Sequence, residues 1–304
     1  MKVLVTGGAG FIGSHIVDHL IAAGTEVVVL DDLSTGSLQN LNPASAFVKM
    51  NILDDGLMEV FERERFDAVC HLAAQTSVSH SVEHPEFDAQ VNVSGTLKVL
   101  EACRRTGVGR IIFASSAAVY GDVVTLPVQE NSLPRPTSFY GLSKLTAEQY
   151  IQMYQTLYGL PYVILRYANV YGERQGDRGE GGVVSIFTRC VQQGEALNVF
   201  GDGSQTRDFI YVGDVAAANV QATCSRETNQ ILNISTQIEN SVNQLTKWLA
   251  EISGREIAVV NQAARAGDIL RSMLCNTEAK KALEWVPATS LREGLTRTYW
   301  ALQK

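Results

Sequence analysis

The sequence predicts an α/β protein with a doubly wound parallel (Rossmann) sheet and a smaller C-terminal α/β lobe. Two observations support this fold class: short apolar runs alternate with helical patterns over the first two-thirds of the chain, and the later part is richer in glycine and charge. Continuous apolar runs are typical of strands that are covered on both faces. Alternation of strands and helices leads to parallel pairing through right-handed crossovers.

The predicted elements of the first part follow one another in regular order. Candidate strands are the apolar runs at 2–6, 26–30, 46–50, 67–72, 110–115 and 162–167, and candidate helices lie near 11–23, 56–65, 87–105 and 140–158. Because the first strand begins at residue 2, we expect no signal peptide.

The second part begins near residue 169 and contains two glycine-rich, charged segments at 171–182 and 199–209. We expect residues 1–168 to form the first domain, residues 212–235 to return to it, and residues 169–304 mainly to form the second lobe. The later elements that the sequence predicts for this lobe are short strands at 231–235 and 256–260 and helices near 240–252, 276–284 and 290–302. The glycine-rich loops would then line a cleft between the lobes.

Composition excludes several classes of function. The net charge is −7 with no basic block, which argues against a nucleic-acid partner. No apolar run reaches the length of a membrane span. The five cysteines are scattered without a CxxC pair, so we expect reduced thiols in a cytoplasmic protein rather than disulfides or a zinc site.

The segment VTGGAGFIGSHIVDHL places Gly7, Gly10 and Gly13 in GxxGxxG spacing between a predicted strand and a predicted helix. Glycines here allow backbone N–H groups to approach a diphosphate, which the helix N-terminus also attracts; a ligand-free glycine turn is the alternative. Asp31 ends the second strand, where a carboxylate can accept hydrogen bonds from both adenosine ribose hydroxyls and repel a 2′-phosphate. These features predict NAD rather than NADP.

Further polar residues follow the second and third strands. Asp32 and the LSTG segment, which contains Ser34, Thr35 and Gly36, are placed to contact the adenosine end of the dinucleotide. Asn51 ends the third strand, where its amide can hydrogen-bond adenine. Loop solubility alone would also account for the two adjacent aspartates.

Tyr140 and Lys144 are one helical turn apart and therefore share a face. Free tyrosine has a pKa near 10, so a tyrosine base near neutral pH requires about 4 kcal/mol of stabilisation of the phenolate. The Lys144 ammonium together with an oxidised nicotinamide ring would supply this. Ser115 and Ser116 end the fifth strand, at the edge where open α/β sheets bind ligands, although a serine there is also common as a cap or turn residue.

The chain resembles the extended short-chain dehydrogenase/reductase family, and within it the UDP-glucose 4-epimerase group, in the segments VTGGAGFIGSH, LDDLSTG, HLAAQTSV, NVSGTLKVLEA, SSAAVYG, SFYGLSK, LRYANVYGERQ, GDGSQTRDFIYVGDV and RAGDILRS. The resemblance covers nearly the whole chain. It implies that Tyr140 removes the proton of the sugar 4-hydroxyl while hydride passes from C4 to tightly held NAD. Ser116 would orient the reacting oxygen, and Lys144 would bind the nicotinamide ribose. Hydride then returns to the other face of the 4-keto sugar.

The resemblance also implies which residues form the two binding sites. The cofactor site would comprise Gly7, Gly10, Phe11, Ile12, Gly13, Asp31, Asp32, Ser34, Thr35, Gly36, Asn51, Ile52, Leu72, Ala73, Ala74, Asn92, Tyr140 and Lys144. The UDP-sugar site would comprise Ser77, Ser116, Tyr140, Asn169, Val183, Val199, Arg207, Arg265, Asp268 and Ser272. Arg207 and Arg265 match arginines that hold the diphosphate, and guanidinium suits bidentate phosphate contact.

Individual positions narrow the implied reaction. Related 4,6-dehydratases have an Asp–Glu pair where this chain has Ala117 and Ala118, so dehydration lacks its acid and base. Asn169 stands where some hexuronic-acid epimerases have threonine. Ser272 stands where a large tyrosine restricts the pocket, so we expect tolerance of N-acetylated sugars as well as glucose and galactose.

The remaining expectations concern partners and competing functions. By resemblance, the helices at 87–105 and 140–158 pair across a two-fold axis, which implies a homodimer. The His15/His19 and His80/His84 pairs have the i,i+4 spacing of metal ligands but no HExxH pattern, so we expect no metal site. The alternatives are a UDP-hexuronic acid 4-epimerase or decarboxylase, a reductase that exchanges its cofactor, and a non-catalytic dinucleotide-sensing regulator.

Overall fold

The computed structural model describes residues 1–176, 182–264 and 269–302. Its strands are β1 Lys2–Thr6, β2 Glu26–Asp31, β3 Ala46–Lys49, β4 Ala68–His71, β5 Arg110–Ser116, β6 Tyr162–Tyr167, β7 Asn169–Tyr171, β8 Leu197–Phe200, β9 Thr206–Arg207, β10 Phe209–Tyr211, β11 Gln230–Ile234, β12 Asn240–Ser241 and β13 Val259–Gln262. Its helices are α1 Phe11–Ala22, α2 Leu57–Glu64, α3 Val78–Glu83, α4 Pro85–Ala89, α5 Thr96–Thr106, α6 Phe139–Tyr158, α7 Val183–Gln193, α8 Val212–Cys224, α9 Val242–Ser253, α10 Thr277–Leu283 and α11 Leu291–Ala301.

A seven-stranded parallel sheet forms the centre of the molecule, in the order β11-β6-β5-β4-β1-β2-β3. The predicted doubly wound fold is thereby confirmed. From β1 the sheet continues through β2 and β3 on one side, and through β4, β5 and β6 on the other. The strand order therefore reverses at β1. Such a reversal opens a crevice at the carboxyl ends of the strands, where ligands bind in this class of fold.

Two apolar cores cover the two faces of the sheet. One packs α1, α8 and α10 against the strands, and the other packs α2, α5 and α6. Burial on both faces explains why the strands are continuous apolar runs in the sequence. The helix near 276–284 was expected in the smaller lobe, but its Ala279 and Leu283 pack in the first of these cores.

The helix predicted near 87–105 is interrupted. It consists of α4, a π-helical turn at Gln90–Gly95, and α5, with Pro85 at the start of α4. A π-helical turn inserts an extra residue into the helix and is often found at functional sites. This turn carries Asn92, which is buried.

A third core lies outside the large sheet. It is formed by α7, α9 and α11 with residues of β7, β8 and β10. Three short strand pairs, β7 with β10, β8 with β13 and β9 with β12, lie outside the large sheet. By contrast, β11 pairs with β6 in the large sheet. The division of the chain into domains at residue 168 stays a prediction.

Candidate active site

A cavity of about 690 Å³ opens at the carboxyl ends of the central strands. Its volume is within the range of cofactor and ligand sites. Of the residues predicted to bind cofactor or substrate, it is lined by Gly7, Gly10, Phe11, Ile12, Gly13, Asp31, Asp32, Ser34, Thr35, Gly36, Asn51, Ile52, Leu72, Ala73, Ala74, Ser116, Tyr140, Lys144 and Asn169.

The glycine loop between β1 and α1 forms one wall of the cavity. Gly7 has a φ of +71°, and a Cβ there would lie 2.7 Å from the backbone nitrogen of Ala73. A Cβ on Gly13 would overlap the carbonyl oxygen of Gly7. The first amides of α1 have no intrahelical acceptor and carry the positive end of the helix dipole. The loop is therefore a compact cradle of N–H groups suited to a diphosphate.

Asp31 closes the adenosine end of this wall. Its carboxylate accepts hydrogen bonds from the backbone N–H groups of Ala9 (3.0 Å) and Leu33 (2.8 Å), which fixes the carboxylate at the end of β2. Burial raises the pKa of the Asp31 carboxyl, and the two N–H donors act in the opposite direction. Next to it, the Asn51 amide donates to Asp32 at 2.6 Å. The residues present thus fit a dinucleotide with a free ribose diol.

Ser116, Tyr140 and Lys144 converge on the inner wall. Ser138 caps α6 by accepting from the Gly141 N–H, and Gly141 lets the helix approach β5: a Cβ there would lie 2.5 Å from the carbonyl oxygen of Ala118. The Tyr140 hydroxyl hydrogen-bonds Ser116. Ser116 also accepts from the Ala118 N–H at 3.1 Å, so its hydroxyl proton can be donated into the cavity.

Lys144 lies beneath Tyr140 and is buried. Its ammonium donates to the carbonyl oxygen of Ala114 at 3.0 Å and lies 4.9 Å from the centre of the Phe113 ring and 5.9 Å from that of Tyr140. Burial lowers the pKa of Lys144 to about 8, whereas the negative charges of Asp88 and Glu148 raise it.

The pKa of Tyr140 differs from the value that its expected role requires. Burial raises this pKa to about 12; the hydrogen bond from Ser116 lowers it, and the charge of Asp88 raises it. Within the protein itself, desolvation of the phenolate therefore outweighs the hydrogen bond from Ser116.

Two buried polar clusters behind this wall were not predicted from the sequence. In the first, Glu148 pairs with Arg166 at 2.6 Å and accepts from Ser115 at 2.5 Å, which joins α6, β6 and the end of β5. In the second, Asp88 and Asn92 meet Gln75. Glu148 could have been found from its position one turn beyond Lys144. No spacing in the sequence indicates the second cluster.

Asn92 does not line the cavity. Its amide donates to the carbonyl oxygen of Gln75 (3.0 Å) and to the Ser143 hydroxyl (3.0 Å), behind the wall formed by Ala73 and Ala74. Several lining residues were likewise not singled out from the sequence: Met50, Thr76, Val91, Gln39, Asn40, Arg174 and Gln175.

Other residues predicted to bind substrate lie away from this cavity wall. Ser77 caps α3, Val183 begins α7, and Val199 is buried in the third core. Arg207 donates to the carbonyl oxygens of Thr206 and Ile269. Ser272 is half-buried. Arg265 and Asp268 lie outside the described residues.

Two other kinds of feature, a metal centre and a membrane-spanning helix, are absent from the described part of the chain. No cluster of three or more His, Cys, Asp or Glu side chains there is arranged to hold a metal ion. Among the same residues, no helix combines the length and apolarity needed to cross a membrane.

Known proteins match this chain closely. The sequence model of the NAD dependent epimerase/dehydratase family matches residues 3–235. A putative UDP-glucose 4-epimerase of Methanocaldococcus jannaschii is 46% identical over 296 residues, which cover 97% of this chain and 96% of that protein. The UDP-glucose 4-epimerase of Thermotoga maritima, solved with UDP-glucose, has a TM-score of 0.96 at 45% identity and covers 100% of this chain and 99% of its own. The Thermus thermophilus UDP-glucose 4-epimerase, solved with NAD, has a TM-score of 0.94 at 41% identity, with the same coverage.

Proposed function

The chain belongs to the NAD-dependent epimerase/dehydratase family, and we propose that it is a UDP-sugar 4-epimerase that uses NAD. The observation that carries this proposal is the meeting of Tyr140 and Ser116 on one cavity wall with the glycine cradle and Asp31 on another. This arrangement places a proton acceptor next to a dinucleotide site, which is what oxidation and re-reduction of a sugar alcohol require.

The chain's own residues divide the chemistry between them. When bound, NAD would accept the hydride that leaves C4 of the sugar. Its oxidised form would also supply a positive charge that favours the phenolate of Tyr140. Tyr140 accepts the proton of the 4-hydroxyl and returns it after the sugar has turned over as its 4-ketone. Ser116 donates a hydrogen bond to the reacting oxygen, and the Ala118 N–H holds Ser116 in that orientation.

The residues around these groups favour simple epimerisation. Ala117 and Ala118 follow Ser116 and offer neither an acid nor a base for elimination of water. The cradle around Gly7 and Gly13 and the fixed carboxylate of Asp31 hold the dinucleotide and disfavour a 2′-phosphate.

The substrate site that we propose extends from the cavity toward the third core. Asn169 lines the cavity, and we assign it to the diphosphate together with Arg207 and Arg265; Asp268 is assigned to the uridine ribose. The remaining proposed contacts are Ser77, Val183, Val199 and Ser272. Of these residues, Val199 is buried in the third core, next to which the proposed site ends.

We assign a UDP-glucose/UDP-galactose pair as substrates, and the N-acetylated pair as well because Ser272 is small. Equal assays on UDP-galactose and UDP-N-acetylgalactosamine test the latter. No detectable turnover of the N-acetylated sugar would refute the role of Ser272.

We further propose a homodimer built on α4 to α6. The outer face of these helices exposes a row of large apolar side chains: Phe87, Leu142, Tyr150, Met153 and Leu157. Such a continuous patch is typical of an association surface. Light scattering at micromolar concentration should report twice the 33.1 kDa chain mass; a monomer would contradict the assignment.

A cytoplasmic location is proposed from the state of the thiols. The five cysteines are free, and Cys70 and Cys103 are buried in the two cores that cover the sheet. Reduced thiols are typical of the cytoplasm.

The function is tested by incubating the purified protein with a panel of UDP-sugars without added NAD and analysing the products. Interconversion of 4-epimers is expected, which would also report retained cofactor. Tyr140→Phe should lower kcat at least about 1,000-fold with nucleotide-sugar binding nearly unchanged, because only the proton acceptor is removed.

Tyr158→Phe is the matched control, since Tyr158 is an exposed tyrosine on the same helix. Near wild-type turnover by Tyr140→Phe would eliminate the proposed role of this tyrosine.

A further inference from the structure

Asp88 is a buried carboxylate that the proposed reaction does not use. It lies on α4, is 1% exposed, and is separated from the π-helical turn by Ala89 alone. Its Oδ1 accepts hydrogen bonds from the uncharged side-chain amides of Gln75 (2.7 Å) and Asn92 (3.2 Å). A buried carboxylate is costly unless hydrogen bonds or an opposite charge compensate it. The two amides compensate part of this cost, and the cost that is left suggests that the carboxylate has a role at the adjacent catalytic wall.

Hydrogen bonds connect Asp88 to the catalytic helix. The Asn92 amide that contacts Asp88 also donates to Ser143 at 3.0 Å, and Ser143 donates to the carbonyl oxygen of Tyr140 at 3.0 Å. In the other direction, the Gln75 backbone N–H donates to Asn92 at 2.8 Å. Gln75 lies between Ala74 and Thr76, which line the cavity. Asp88 thus holds together the loop after β4, the π-helical turn and the first turn of α6.

We propose that Asp88 is a positioning residue of the active site: its carboxylate anchors the Gln75–Asn92 cluster against α6 and supplies the negative field in which Lys144 and Tyr140 work. The inference rests on the proposed function for its kinetic part only. Asp88 is assigned no contact with substrate or cofactor, and it acts through Tyr140 and Lys144 of α6.

The charge of Asp88 shifts the pKa of Lys144 and that of Tyr140 in the same direction. The charge of Asp88 raises the pKa of Lys144 against the lowering by burial, and it raises the pKa of Tyr140. A negative charge favours the ammonium of lysine and disfavours the phenolate of tyrosine. Removing that charge should therefore move both ionisations to lower pH.

Other titratable and charged groups lie near Asp88, Lys144 or Tyr140: Glu148 on α6, His71 on β4, Arg166 and Tyr167 on β6, and His80 and His84 next to α4. Glu148 and Arg166 form an ion pair, so their charges largely compensate each other. Burial lowers the pKa of His71 to about 3, which keeps it neutral over the working range. Substitution of Asp88 alone leaves the identity of all these groups unchanged.

The test is Asp88→Asn, which keeps an acceptor at Oδ1 and removes the charge. Protein carrying [6-¹³C]lysine, with the Lys144 signal assigned by its loss in Lys144→Met, reports the Lys144 titration by NMR. We expect the midpoint to fall by about one unit. In epimerase assays, both limbs of the kcat–pH profile should move to lower pH, with KM little changed.

Glu86→Gln is the matched control, because it removes an exposed carboxylate from the same helix. It should leave the NMR midpoint and both limbs unchanged. Asp88→Glu, which restores a carboxylate, should move them back toward the wild type. If Asp88→Asn does not fold, Asp88→Ser removes the same charge and allows the same comparison.

The outcomes separate this inference from the proposed function. An unchanged Lys144 midpoint in Asp88→Asn overturns the inference, as does a fall in kcat with no shift of either limb. A lowered midpoint in a protein whose wild type converts no UDP-sugar supports the field of Asp88 and refutes the epimerase assignment instead.

Discussion

The buried ammonium of Lys144 should lower the free energy of unfolding of this protein. Burial lowers its pKa from 10.5 to about 8, so its ammonium is less favourable in the folded protein than in the unfolded chain. At 1.36 kcal/mol per unit, this difference costs about 3 kcal/mol at pH 7. Lys144→Met removes the charge and retains an unbranched side chain. The lost hydrogen bond to Ala114 offsets about 1 kcal/mol, so we expect a net gain of about 2 kcal/mol in the free energy of unfolding, with loss of turnover.

The pH dependence identifies the cause. Because the folded pKa of Lys144 is lowered, the unfolded chain binds more protons than the folded protein between pH 8 and 10.5. The free energy of unfolding of the wild type therefore rises with pH over that window, as the cost of burying this group falls. The advantage of Lys144→Met should accordingly shrink from about 2 kcal/mol at pH 7 to about 1 kcal/mol at pH 9.

Urea denaturation of both proteins, each freed of nucleotide so that ligand stabilisation is equal, measures the difference. Lys280→Met, which changes an exposed lysine on α10, should shift stability by no more than about 0.5 kcal/mol. The reasoning is refuted if Lys144→Met is less stable than the wild type at pH 7, or if the difference is the same at pH 7 and pH 9.

Two further predictions concern close backbone contacts. Gly13→Ala would push a Cβ into the Gly7 carbonyl oxygen and should yield protein with little co-purifying NAD, measured by the ratio of absorbance at 260 and 280 nm; a wild-type ratio would contradict the cradle. Gly141→Ala would place a Cβ 2.5 Å from the Ala118 carbonyl oxygen and should lower kcat at least about 10-fold by separating Tyr140 from Ser116. Gly107→Ala, in open space at the end of α5, should cost about 1 kcal/mol of stability through its positive φ and leave kcat unchanged.

Much of the site could be predicted because the carboxyl ends of parallel strands lie at the same edge of a sheet. Gly7, Asp31 and Ser116 follow or end strands whose carboxyl ends meet at one edge of the sheet, so sequence position alone brings them together. Tyr140 and Lys144 were predictable from helical spacing. Their pKa values were not, because the desolvation that dominates both depends on packing from other elements.

The rest depended on contacts that no spacing encodes. The apolar pattern of α10 predicts a buried face but not the core that buries it, and it packs against the large sheet rather than with the third core. The periodicity near residues 87–105 is the same whether or not the helix contains a π-helical turn. The Asp88–Gln75 contact joins residues 13 positions apart and forms only because of the loop after β4 and that turn.

The π-helical turn at Gln90–Gly95 has a consequence for how this protein can evolve or be engineered. Each residue of an α-helix advances it by about 100°. Deleting one residue within the turn would restore a regular helix and rotate Asp88 away from Gln75 by about that angle while α5 kept its packing. Substitutions along this helix change single contacts, whereas a change of its length would disconnect the catalytic helix from the loop after β4.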